Sequence, residues 1–95
     1  MGIITHSDYN FHSLQIKDAY ICISSNPIYI FLDKKVNLYN IVVLYDVYVN
    51  YDARLNGEQP FQSIQRTYKD ELVSSNLYTY AYDKLKQEYP VYSDA

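Results

Sequence analysis

Residues 36–51 read VNLYNIVVLYDVYVNY, and the fold turns on this stretch. Every odd position from residue 39 onward is apolar or aromatic: Tyr39, Ile41, Val43, Tyr45, Val47, Val49 and Tyr51. The even positions mix Leu38, Val42, Leu44 and Tyr48 with Asn40, Asp46 and Asn50. A period of two, rich in Val, Ile and Tyr, marks a β-strand whose odd side faces a core. No Gly or Pro interrupts the run, so the pattern predicts one long strand over all sixteen residues. At ~3.3 Å per residue such a strand reaches roughly 50 Å, against ~5–6 residues for an average strand. That length in a small chain points to a part that pairs with or packs on neighbours.

Upstream, Ile28 to Leu32 is apolar at all five positions, the signature of a strand buried on both faces. The short polar break Asp33-Lys34-Lys35 joins it to the long strand as a hairpin. Ser25-Asn26-Pro27 reads as a turn, since Pro lacks a ladder N–H and restricts the residue before it. Before it, Ala19, Ile21 and Ile23 line one side of a strand, with Tyr20, Cys22 and Ser24 on the other. Phe11, Leu14 and Ile16 suggest a further strand start, although Phe11 and Leu14 differ in parity. Residues 1–10 read as an arm or a short edge strand.

Downstream, Asn56-Gly57 is a type I′ hairpin signal, because both central residues of that turn need positive φ. Pro60 favours an edge strand or a wider loop. Phe61 to Lys69 is a weaker strand, whose Phe61, Ile64 and Tyr68 also fit helical spacing. The last element is a helix from about Leu77 to Tyr89, with Ser74, Ser75 and Asn76 all competent N-caps. Leu77, Tyr78, Ala81, Tyr82, Leu85 and Tyr89 fall within about 140° of its circumference, a core-facing stripe. Tyr80 lies off that stripe. Lys84 and Lys86 suit the negative C-terminal end, Pro90 stops the helix, and residues 91–95 form a short tail. Together these predict one α+β domain over residues 1–95. It is an antiparallel sheet of about four strands, with one long central strand and a C-terminal helix packed on one face.

Ninety-five residues, 48% hydrophobic, suit one small globular domain, with no run near the ~20 apolar residues of a membrane span. The net charge of −3, with Lys17, Lys34, Lys35, Arg54, Arg66, Lys69, Lys84 and Lys86 scattered, argues against a phosphate-binding face. The single Cys22 excludes an internal disulfide and fits a reducing site of synthesis. The N-terminus MGIITHS lacks signal-peptide features, and His6 stands where a myristoylation pattern wants Ser or Thr. Thirteen tyrosines without a tryptophan suit either an adhesive surface or AT-rich coding, and only their positions decide.

The chemical candidates are thin. His6, Asp8 and His12 share parity and would line one side of a strand running through them, as metal ligands do. A polar surface is the commoner meaning of such a set. Cys22 with either histidine would make a nucleophile pair, but a lone Cys among isoleucines is usually a small buried residue. The only glycines are Gly2 and Gly57, so no phosphate-cradling loop exists. Exposed tyrosines stack on bases or sugars in some proteins, normally beside a positive groove that this acidic chain lacks. The expectation is a protein without catalytic residues, cofactor or metal.

Four pieces of the chain carry a resemblance. They are Asp18-Ala19-Tyr20-Ile21 opening a strand, the long strand ending Tyr45-Asp46-Val47-Tyr48, then Ala53-Arg54 with Gly57 and Pro60. The last is the closing helix Tyr80-Ala81-Tyr82-Asp83-Lys84-Leu85-Lys86 followed by Tyr89-Pro90. In this order the chain resembles short proteins encoded among the tail and baseplate genes of tailed bacteriophages. The resemblance covers about two-thirds of the chain and brings no catalytic residue with it. It implies a non-enzymatic structural component of the virion, made in the host cytoplasm. Its partners would be other virion subunits in several copies, with no nucleic acid, membrane or small-molecule substrate. The rival is a small soluble regulatory protein that binds and inhibits a host protein.

A helix of thirteen residues is roughly 20 Å long and covers part of one face of the long strand. The even side, with Leu38, Val42, Leu44 and Tyr48, is left without a cover from the same chain. These four, together with Tyr80, are the expected protein interface, with Leu44 and Tyr48 at its centre.

Overall fold

A computed structural model describes residues 2–25, 28–71 and 76–95. The long strand forms as β6, Leu38–Tyr48, eleven residues rather than sixteen. Around it, in chain order, stand β1 (Ile3–Thr5), β2 (Tyr9–Phe11), β3 (Leu14–Ile16), β4 (Tyr20–Ile23) and β5 (Tyr29–Asp33). After β6 come α1 (Tyr51–Leu55), β7 (Gln62–Asp70), α2 (Leu77–Glu88) and β8 (Tyr92–Asp94). The class is α+β with an antiparallel sheet, but the sheet has six strands among the described residues rather than four. A separate hairpin, β2–β3, and the helix α1 add to it.

β6 owes its length to having two neighbours end to end on one side. β5 pairs with residues 38–42 and β4 with residues 45–48, while β7 runs along the whole opposite side. Beyond β4 the sheet continues through β1 to β8. Ile3–Thr5 is therefore an interior strand, not an arm, and the C-terminal tail supplies an edge strand. Three residues show too little alternation to reveal a strand; pairing with distant partners creates these two.

The odd side of β6 is the core side, as the alternation requires. Ile41, Val43, Tyr45 and Val47 are fully buried there with Ile3, Ile21 and Leu85. Helix α2 lies over this side. Asn76 caps it, its side chain accepting from the Thr79 N–H at 3.1 Å, and Ala81, Tyr82 and Leu85 are its buried residues. Ser74 and Ser75 lie outside the described residues. Tyr78, assigned above to the buried stripe, is 61% exposed. The Tyr45 hydroxyl donates to the Ala81 carbonyl at 2.7 Å, and Arg66 grips both carboxylate oxygens of Glu88 at 2.9 Å. The β2–β3 hairpin closes the same side, with Tyr9 edge-on to Phe61 and donating to Gln62 Oε1 at 2.6 Å. The parity break between Phe11 and Leu14 is thus a turn at His12-Ser13, with His12 at φ 56°.

Two sequence signals resolve differently from their first meaning. Val49 and Tyr51 continue the alternation, yet the strand stops at Tyr48. The Asn50 side chain accepts from the Ala53 N–H at 2.8 Å and starts α1. Asn56-Gly57 is the end of that helix rather than a hairpin turn. Asn56 has φ −80°, which excludes type I′, and Gly57 takes the left-handed φ of +75° that follows a helix C-cap. The turn expected at Asn26-Pro27 lies outside the described residues.

Candidate interaction surface

The even side of β6 is covered toward Tyr48 and only partly covered toward Leu38, where Asn40 is buried but Leu38, Val42 and Leu44 are not. Toward Tyr48, α1 folds over it. Tyr20, Cys22 and Tyr48 form a small second core there, packed against Ile4 and Tyr51. Tyr48 is 8% exposed, its ring lies 6.2 Å from that of Tyr20, and Arg54 stands 5.8 Å above it. Tyr48 was expected at the centre of an open interface, but the chain's own helix buries it. The N-terminal strand β1 also contributes Ile4 to this cluster.

Toward Leu38 no helix among the described residues covers the even side. Leu38, Val42 and Leu44 are partly exposed. By register, Tyr29 stands beside Val42 and Phe31 beside Asn40, so β5 adds two aromatic rings to the same side. Tyr29 is 60% and Phe31 55% exposed. On the core side of β5, Ile30 and Leu32 are also exposed. This corrects the reading of Ile28–Leu32 as a strand buried on both faces. β5 hangs beyond β1 with only β6 as a ladder partner among the described residues. Tyr29 and Phe31 were missed as members of the interface: a loop confined to Asp33-Lys34-Lys35 would set Leu32 opposite Val36 and put both rings on the core side, whereas the observed turn of residues 34–37 sets Asp33 opposite Leu38.

Tyr80, the fifth expected interface residue, is engaged within the chain. Its hydroxyl donates to Asp70 at 3.2 Å, its ring meets Tyr68 edge-on at 6.2 Å, and Lys84 lies 5.5 Å from its centroid. Burial and the neighbouring carboxylate push its hydroxyl up to about 12. It does not join the open part of the even side. The thirteen tyrosines divide in a way that answers the compositional question. Five are buried, six partly buried, and only Tyr29 and Tyr78 exposed. Their main task is internal packing, with hydroxyls that reach polar partners.

The expected chemical candidates do not come together. β1 ends before His6, and His12 sits in the β2–β3 turn, so no strand aligns His6, Asp8 and His12. His6 instead bridges Asp18 through Nδ1 at 3.1 Å and Ser93 through Nε2 at 2.6 Å. Among the described residues no group of three or more His, Cys, Asp or Glu is placed to hold a metal ion. Cys22 is buried, which pushes its thiol up, while the Arg54 guanidinium beside it lowers it. It lines an open groove of about 500 Å³ with Tyr20, Tyr51, Arg54, Tyr78 and Tyr82. A thiol raised in pKa, with an arginine rather than a base for its neighbour, is poorly set up as a nucleophile. No family model, curated protein or solved structure matches the chain.

Proposed function

We propose that this chain is a non-enzymatic structural subunit of a phage virion, of its tail, neck or baseplate region, acting by protein–protein contact. The observation that carries the contact is the open half of the even side, where Tyr29, Phe31, Val42 and Leu44 adjoin. Exposed apolar patches larger than a few hundred Å² usually mark an interface. Protein is favoured over nucleic acid because the net charge is −3 and four of the eight cations are engaged within the chain. Arg66 pairs with Glu88 and Lys86 with Asp94, while Lys84 and Arg54 lie against tyrosine rings. No helix among the described residues is long and apolar enough to cross a membrane. The virion assignment rests on the resemblance to tail and baseplate proteins described above. Mass spectrometry of purified particles tests it, with the chain expected at a fixed ratio to the major tail proteins. Its absence from particles, with recovery as a soluble complex with one host protein, would overturn the assignment in favour of the regulatory reading.

A further inference from the structure

The sheet has three open edges among the described residues, and they are not equivalent. β8 is three residues long and carries Ser93 and Asp94. β7 is long but reads QSIQRTYKD, with Arg66, Lys69 and Asp70 along it. Short or charged edges are the usual protection against strand pairing. The outer edge of β5 has no such protection. Tyr29, Ile30, Phe31 and Leu32 are uncharged, exposed and consecutive, and no described strand pairs with that edge.

We infer that the β5 edge pairs with β5 of a second copy of this chain, antiparallel about a two-fold axis through Ile30. The symmetry restricts the register. A two-fold axis perpendicular to the sheet keeps faces together, so a residue can only oppose one of its own parity. Centring on Ile30 sets Ile30 against Ile30, Tyr29 against Phe31 twice, and Ile28 against Leu32 twice. Every apolar residue of the strand then meets another. Centring on Phe31 would set Tyr29 against Asp33 instead. A parallel pairing in register would stack Asp33 on Asp33 and the lysines that follow on each other.

Ile30 is level with Ile41 of β6, and Asp33 with Leu38, three residues further along. Reflection about Ile30 brings the second copy's Asp33 level with Leu44 of the first. The neighbouring strands β1 and β8 extend through the Gly2–Ala95 pair to the level of Asp46. The intervening two residues amount to about 7 Å, into which the second copy's turn of residues 34–37 must fit. The two second faces also lie on the same side of the joined sheet, so Tyr29, Phe31, Val42 and Leu44 of both copies form one continuous apolar surface. This inference therefore deepens the contact reading and rests on it for what covers that surface.

The exposed side chains of β5 offer roughly 300–400 Å² per copy, judged from typical buried areas of large side chains. That is below the ~800 Å² per partner of a standard interface, so a weak dimer is expected. Sedimentation of the full chain up to about 100 μM should show reversible dimers. Ile30→Lys sets two charges face to face at the axis and should weaken the dimer roughly tenfold or more while circular dichroism stays unchanged. In a Cys22→Ala background, Ile30→Cys should cross-link rapidly on oxidation, because directly opposed Cα atoms lie within disulfide reach. Tyr29→Cys and Leu32→Cys should cross-link poorly, since neither faces itself. A chain that stays monomeric throughout overturns the inference. So does a dimer indifferent to Ile30→Lys, or cross-linking with no preference for position 30. If such a dimer is lost in Leu44→Asp, the face contact stands without the edge pairing. Should Ile30→Lys fail to fold, the cross-linking preference decides.

Discussion

The two ends of β6 carry the same alternating pattern and meet opposite surroundings. At residues 43–48 the odd side lies under α2 and the even side meets α1, so Tyr45 and Tyr48 are both buried. At residues 38–42 the flanking strand is β5, whose side chains are exposed on both of its sides. Alternation reports which side of a strand is apolar. It does not report what covers that side. The first end is a core on both sides, while at the second Ile41 and Asn40 are buried but β5 and the neighbouring Leu38 and Val42 lack a full cover. Experiments that sharpen the contrast should find large energetic effects at the first end and small ones at the second.

The largest expected effect is alkaline unfolding through the tyrosines of the covered end. Burial pushes Tyr20 up to about 12, and it also raises Tyr45, Tyr82 and Tyr89. The folded state therefore favours the neutral phenols. Their stabilisation is fully present below the unfolded value near 10 and is lost as pH climbs beyond it. Phenolate absorbance from these groups should appear together with loss of the circular dichroism signal above about pH 10–12. Ionisation of all thirteen near pH 10 in a chain that stays folded would contradict their burial. At the acid side Glu88, held below its usual range by Arg66, contributes stability at neutral pH that is lost as pH falls through its lowered value.

Next in size is Leu85→Ala, which removes a fully buried side chain from the α2 interface. Urea denaturation should show a loss of about 2–5 kcal/mol. A loss below about half a kcal/mol would place Leu85 at the surface. Asn50→Ala removes the cap of α1 and should cost about 1 kcal/mol. It also tests whether α1 is what protects Tyr48. Hydrogen exchange around Tyr48 should accelerate in this variant while the β5–β6 ladder is unaffected. Equal acceleration in both would make α1 irrelevant to the difference between the two ends.

Much of this fold is legible in the sequence, and the gaps have physical causes. The β6 alternation, the β5–β6 hairpin, the β4 pattern and α2 with its Asn76 cap all follow from local signals. β1 and β8 do not, because each is only three residues long and exists through pairing across almost the whole chain. Helix α1 is hidden because Val49 and Tyr51 extend the strand pattern into it; Asn50 followed by Asp52 was the available cue. That one omission also misplaced Tyr48, since the cover over it is α1. Asn56-Gly57 fits both a hairpin and a helix end, and Asn50–Ala53 capping selects the second. Of the candidate surface, Leu38, Val42 and Leu44 were legible from parity alone. The exposure of Tyr29 and Phe31 was not, because an apolar run reads as buried whether its cover is the same chain or another.

The smallest effect on folding and the largest on assembly should come from Leu44→Asp, at the open part of the even side. Sedimentation and circular dichroism on this variant test the contact surface most directly. The account predicts a folded chain with the signal of the wild type that no longer enters particles, while the weak pairing at the β5 edge persists. A variant that simply unfolds as a monomer would make this side internal core, and one that assembles normally would place the contact elsewhere.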